Sequence, residues 1–235
     1  KGFGLNSIGY ISFAGNTLGA DYIKYRLKEK KSFMNFLYNF FKEFYSIGFY
    51  KGIKIICKNQ NYNKYKNLIL SWGFKSDFKS AGKFYDKYLN VNINNYPKTL
   101  WALLYLDKEV PKKLNSNLII FKLEKSKFFN LFFFFKNILF ILIQESFSIS
   151  RFFLNLSQHS LSGYKLNELF KKTINLENIN FFFLPYEGQI FQKKIINLIK
   201  EQDRKIKIVG YDHTAPQSLP VNLYHNNYSP DLLIV

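Results

Sequence analysis

The chain has 235 residues, enough for one large domain or two small ones with a sizeable core. Hydrophobic residues make up 47% and charged residues 21%, a composition that excludes disordered and fibrous proteins. The single cysteine, Cys57, excludes a disulfide framework and a zinc site built from cysteines, and it favours a reducing compartment. The chain opens at Lys1 and closes in an apolar run at Val235, and we expect it to be a piece of a longer protein.

The formal net charge of +18 comes almost entirely from lysine, because only three of the 34 basic residues are arginine. Lys, Asn, Ile, Phe and Tyr are abundant together and all have A/T-rich codons, so base composition accounts for part of this charge. Nucleic-acid interfaces rely on arginine for bidentate and stacking contacts. We therefore expect no nucleic-acid partner, and favour anionic lipid or phosphate-bearing substrates.

In the first half of the chain, short strand patterns alternate with helical patterns. Apolar residues recur at helical spacing over residues 32–47, which predicts an amphipathic helix. Residues 53–57 and 118–121 read as buried strands. We expect a helix over residues 62–71, and a second over residues 96–106, where a strand is the alternative.

Residues 128–143 form the most apolar stretch of the chain. It is shorter than the roughly 20 residues that a membrane-spanning helix needs. One interpretation is a core helix, bent near residues 146–150, that touches solvent along a stripe of polar residues. The other is a helix that lies in a membrane interface with its aromatic face towards the lipid. The stripe consists of residues spaced seven apart: Asn130, Asn137, Gln144, Arg151 and Gln158.

The last third has the clearest pattern. Residues 179–184 and 206–211 are predicted strands, residues 189–200 are a predicted helix, and residues 231–235 begin a third strand. A strand, a helix and a strand over this length form a βαβ unit, whose two strands run parallel. The predicted class is therefore α/β, with a Rossmann-like parallel sheet and flanking helices.

Two polar residues follow the carboxyl ends of these strands, where ligands bind in parallel sheets. Glu187 could act as a general base towards a hydroxyl group, and His213 could orient a phosphate or donate to a leaving group. Gly188 would let a ligand approach the backbone, and the amides at Gln189 and Ile190 favour an anion. The alternatives are a helix-start charge for Glu187 and a structural role for His213.

Other motifs are weaker. Residues 2–4 lack a dinucleotide-binding glycine pattern, and residues 15–21 could form a loop near the same crevice. His159 and His225 are interpreted as ordinary surface or loop residues. Three dispersed histidines and one remote cysteine predict no metal site.

Three segments of the last third resemble a known group of proteins: residues 185–192 (PYEGQIFQ), 208–216 (IVGYDHTAP) and 229–233 (SPDLL). The order YEGQ, then GY-x-H-T, then PD-L is similar to bacterial proteins of surface-carbohydrate biosynthesis. Residues 85–107, with Pro97, Trp101 and Asp107, are similar to an upstream segment of the same proteins. These look like glycosyltransferases of the GT-B type, which have two Rossmann-like domains.

The resemblance implies that residues 1–235 form an amino-terminal, acceptor-side domain and that a nucleotide-sugar domain follows residue 235. It implies Glu187 as the base and His213 as the contact to the donor phosphate, although two residues separate His213 from Pro216. It further implies substrate contacts by the residues beside these two: Tyr186, Gly188, Gln189, Tyr211 and Thr214.

The predicted substrates are a nucleotide sugar, with no separate cofactor, and a surface-polysaccharide or lipid-linked acceptor. The predicted location is the cytoplasm, with peripheral contact at the inner face of the membrane. The first alternative is a non-catalytic polysaccharide-assembly or glycan-binding module, whose binding would be indifferent to Glu187. The second is a sugar-nucleotide epimerase, against which the missing glycine fingerprint argues.

Overall fold

The computed structural model describes residues 32–57, 62, 64–79, 83–186, 190–202, 205–211 and 229–234. Their helices are α1 (Ser32–Ser46), α2 (Leu131–Gln144), α3 (Ile149–Leu154), α4 (Gln158–Thr173) and α5 (Ile190–Gln202). Their strands are β1 (Tyr50–Cys57), β2 (Asn67–Gly73), β3 (Phe78–Lys79), β4 (Lys83–Asp86), β5 (Val91–Asn92), β6 (Thr99–Tyr105), β7 (Leu118–Lys125), β8 (Phe181–Pro185), β9 (Lys207–Tyr211) and β10 (Leu232–Ile234).

Seven strands form one sheet in the order β1-β7-β6-β2-β8-β9-β10. The strands from β7 to β10 in this order are parallel, and β1 is antiparallel to β7 at the edge. Counted along the chain, the six parallel strands lie in the order 3-2-1-4-5-6, which is that of the Rossmann sheet. The predicted α/β, Rossmann-like class is confirmed at this level, with a mixed rather than wholly parallel sheet.

Different layers cover the two faces of the sheet. On one face, Leu68 and Leu100 share a core with Phe170 of α4 and Ile195 of α5. On the other face, Trp101 and its neighbours pack against residues of a small antiparallel sheet, β3-β4-β5. The helices therefore flank one face over this region, and a second sheet takes their place on the other.

Two predicted helices are strands. The helix expected over residues 62–71 is replaced by β2, and residues 99–105 form β6, the alternative considered for that segment. Both strands lie in the middle of the sheet and are buried on both faces. Such strands lose the alternation of polar and apolar residues, so their sequences look like buried helices.

Several other elements lie in the predicted segments, whereas helix α4 and the small sheet β3-β4-β5 were not predicted. Helix α1 and strands β1 and β7 occupy the expected segments, and α5 lies between the parallel neighbours β8 and β9. Strand β10 adds to β9 in parallel. The bend expected near residues 146–150 is a full break: α2 ends at Gln144, Ser146 and Phe147 adopt positive φ angles, and α3 begins at Ile149.

The prediction of a solvent-exposed polar stripe along α2 is wrong. Asn130 caps the helix, accepting a hydrogen bond from the Phe133 amide at 3.1 Å. Asn137 is only 3% exposed and donates to the backbone oxygens of Ile47 and Tyr50, at 3.2 and 2.8 Å. The regular spacing therefore does not mark one solvent-facing side of a helix, because its second member points into the protein.

Candidate functional site at the carboxyl edge of the sheet

The carboxyl ends of the parallel strands meet at one edge, where a ligand crevice is expected at the switch in strand order. Here the switch lies between β2 and β8, because β6 and β7 extend the sheet to one side and β9 and β10 to the other. Strands β8 and β9 are neighbours, with Pro185 opposite Tyr211. The prediction that these two strand ends lie side by side is confirmed.

The structure places two of the predicted site residues, Tyr186 and Tyr211. The Tyr186 amide donates to the Tyr211 carbonyl oxygen at 2.8 Å, so the last backbone positions of both strands are joined. The others fall outside the described residues: Glu187, Gly188, Gln189, His213 and Thr214, as do Asp212, His225 and residues 2–4 and 15–21. In the sequence, Glu187 directly follows Tyr186, and His213 is the second residue after Tyr211.

Tyr186 is fully buried in the core that includes Leu184 and Ile208. Burial raises the pKa of its hydroxyl, and the Ser229 side chain opposes only part of that rise. The phenol is therefore neutral at physiological pH. Its place in the core fixes the point at which the chain leaves β8.

The three segments that carry the resemblance pack against one another at Gly210. A Cβ atom on this glycine would lie 2.7 Å from Cγ of Pro230 and 2.9 Å from Cβ of Tyr186. It would also lie 3.2 Å from a methyl group of Leu233. Only glycine fits here, since the nearest atoms belong to a proline ring and to a Cβ that cannot rotate away.

Asp231 ties the start of β10 to β9. Its Oδ2 accepts a hydrogen bond from the Ile208 amide at 2.9 Å, and its amide donates back to the Ile208 carbonyl oxygen. Lys200 of α5 completes the link, with Nζ 3.3 Å from Oδ1 of Asp231 and 2.7 Å from the Ser229 carbonyl oxygen. The serine, proline and aspartate of the third segment thus have structural roles.

Gln192 anchors the other end of the segment that contains Glu187. Its side chain is 2% exposed, and Nε2 donates to the Pro185 carbonyl oxygen at 2.6 Å. Phe191 packs edge-on against Trp72 at the end of β2, with ring centroids 5.6 Å apart. Gln192 and Phe191 therefore fix the start of α5 against β8 and β2, a role for Gln192 that the sequence did not indicate.

Two lysines on α5 were also missed. Burial lowers the pKa of Lys193 and of Lys194, and Lys194 Nζ lies 3.9 Å from the centroid of the Tyr164 ring. The Glu145 carboxylate opposes part of the decrease at Lys194. The sequence signal that could have pointed to both lysines is their position shortly after Gln189, in the first turns of a predicted helix.

A buried carboxylate on the opposite face of the sheet, Asp86, is structural. It accepts hydrogen bonds from the Trp101 indole nitrogen and the Leu89 amide, both at 3.1 Å. Burial raises the pKa of Asp86, and these donors oppose the rise. Fully enclosed in this way, the carboxylate anchors the small sheet to β6.

Among the described residues, no cluster of three or more His, Cys, Asp or Glu side chains is arranged to hold a metal ion. Within the same residues, no helix is long and apolar enough to cross a membrane. Comparison of the chain with protein-family models, curated proteins and solved structures found no match. The resemblance to glycosyltransferases therefore stays a prediction that depends on the residues that carry it.

Proposed function

We propose that this chain is the acceptor-side domain of a GT-B glycosyltransferase that moves a sugar from a nucleotide sugar to a surface-polysaccharide or lipid-linked acceptor. The observation that supports this proposal is the meeting of three sequence segments at Gly210, at the carboxyl ends of β8 and β9. Motif residues that are far apart in sequence, such as Tyr186 and Pro230, thereby both pack against Gly210. A nucleotide-sugar domain would follow residue 235.

In the proposed reaction, Glu187 takes the proton of the acceptor hydroxyl as the hydroxyl oxygen attacks the anomeric carbon of the donor. The bond from that carbon to the nucleotide phosphate breaks, and the phosphate leaves with the electron pair. His213 and the amides at the start of α5 balance the charge of the leaving phosphate. The joined ends of β8 and β9 support this assignment, because both residues follow these ends closely in the chain.

The test is sugar transfer by the full-length protein, with a panel of nucleotide sugars as donors and a membrane extract as acceptor. The variant Glu187→Gln keeps the side-chain shape but removes the base, and we expect transfer to fall by about a hundredfold or more. Glu201→Gln, at an exposed position near the end of α5, is the matched control and should keep wild-type transfer.

Equal transfer by wild type and Glu187→Gln would remove Glu187 from the base role. A folded wild-type protein that consumes no donor but still binds glycan would instead indicate the non-catalytic binding module. Loss of transfer in both variants would show that the measured effect is not specific to the base.

A further inference from the structure

Helix α2 exposes several large apolar side chains and buries a polar one, Asn137, next to the buried Ile141. Amphipathic helices of globular proteins bury their apolar side and expose their polar side. In α2, Asn137 is buried against backbone oxygens, whereas Phe132 and Phe135 are 69% and 64% exposed. The exposed apolar residues follow helical spacing and lie on one side of the helix: Leu131, Phe132, Phe135, Leu139 and Ile143.

Helix α1 exposes a second apolar stripe, formed by Tyr38, Phe41 and Tyr45. The two helices pack together, with the Phe44 and Phe134 rings edge-on at 4.8 Å. Tyr45 also stacks on Phe129, just before α2, with ring centroids 4.9 Å apart. The two stripes therefore belong to one packed unit, and we call them together the apolar face.

The exposed charges around this face have one sign, while Glu43 of α1 is half-buried and Glu145 after α2 is buried. Within residues 37–49 and 125–149, whose side chains are all described, every charged side chain that is exposed is a lysine. These are Lys42 on α1, Lys125 and Lys127 before α2, and Lys136 on α2. Lys136 lies along the face itself, with Nζ 6.0 Å from the centroid of the Phe132 ring.

We propose that the apolar face docks on an anionic lipid surface, with α2 lying in the plane of the interface. Aromatic and aliphatic side chains would enter the headgroup region while the lysines contact lipid phosphates, the combination typical of interfacial helices. A helix of 14 residues is about 21 Å long, which suits lying along an interface better than crossing it. The positive charge favours anionic lipid over a second, equally positive copy of this chain.

The inference does not depend on sugar transfer, so the test contains no donor or acceptor. Full-length protein is sedimented with phosphatidylcholine vesicles that either contain or lack phosphatidylglycerol. We expect clear binding to the anionic vesicles, weaker binding to the neutral ones, and a decrease in anionic binding as salt is raised.

Two sets of variants separate the apolar and electrostatic contributions. Phe132→Ser combined with Phe135→Ser should weaken binding at least about tenfold, and Phe128→Ser, outside the helix, should act in the same direction. Lys42→Gln and Lys136→Gln should each weaken binding to anionic vesicles about fivefold. Leu106→Ser and Lys83→Gln, exposed positions that follow β6 and open β4, are the controls and should bind as the wild type does.

Circular dichroism and unfolding midpoints establish that each variant is folded. The proposal is overturned if the folded wild type ignores anionic vesicles, or if the Phe132 and Phe135 double variant binds them as the wild type does. It is also overturned if the wild type is a dimer that binds no vesicles and the double variant is a monomer. The face would then be a self-association surface.

Discussion

Gln192 donates its side-chain amide to the carbonyl oxygen of Pro185 across 2.6 Å, which joins the first turn of α5 to the end of β8. Both residues are buried, so this bond is shielded from water. Six residues separate the two partners in the sequence, and Glu187 is one of them. Gln192 thus holds the start of α5 to the end of β8, a role that its chemistry alone does not reveal.

Replacing Gln192 with leucine should lower the free energy of unfolding by about 1–3 kcal/mol, because the buried Pro185 oxygen loses this donor. Urea unfolding of the purified protein measures the change. Gln202→Leu, exposed at the end of the same helix, is the control and should stay within about 0.5 kcal/mol of wild type. Equal stability of the two variants would contradict the structural role of Gln192.

Gly210→Ala should destabilise the protein by about 1–3 kcal/mol, since the added methyl group would overlap with Pro230 and Tyr186. Gly73→Ala, at the end of β2, is the comparison variant, because the added methyl group meets a less severe contact there. Its nearest atom would be a Leu103 methyl carbon at 3.1 Å, which can move more easily. The unfolding midpoint in urea should therefore fall more for Gly210→Ala, and the opposite order would refute the close packing at Gly210.

Asn137→Leu should lower the free energy of unfolding by about 2–4 kcal/mol. The leucine cannot donate to the oxygens of Ile47 and Tyr50, which lie in a buried site. Gln144→Leu tests the next position of the same seven-residue spacing, but at an exposed side chain, and should have little effect. If both substitutions were harmless, the polar spacing would mark a solvent-facing stripe after all.

Three buried tyrosines predict a loss of stability at alkaline pH. Burial raises the pKa of Tyr50 and Tyr186 above the usual range and that of Tyr105 to about 12. Unfolded tyrosines ionise near pH 10. The folded state therefore binds more protons above that pH, and this contribution to stability, complete below about pH 10, is lost as the pH rises.

The absorbance of tyrosinate measures the ionisation of these side chains directly. At about pH 10.5 the folded protein should contain less tyrosinate than the urea-unfolded chain. Between about pH 9 and 11, Tyr105→Phe should lose less unfolding free energy than the wild type. Tyr96→Phe, at an exposed ring, is the control. A Tyr105→Phe variant with the wild-type pH dependence would show that Tyr105 makes no such contribution.

The sequence by itself determined the last third of the fold. Between residues 179 and 211, apolar runs that suit strands flank a run with helical spacing, and the helix in between makes a parallel pair of strands necessary. These are local patterns followed by a general rule of chain connection. The neighbouring ends of β8 and β9 therefore followed before any contact was known.

Only the tertiary structure decided which apolar runs become central strands and which polar residues turn inwards. Residues 99–105 could form a strand or a helix, and the choice came from neighbours on both sides, β2 and β7. Asn137 turned inwards because folding brings it to backbone oxygens about 90 residues earlier in the chain. Such partners do not exist until the chain has folded, since burial and hydrogen bonding over long separations depend on the whole arrangement of the chain.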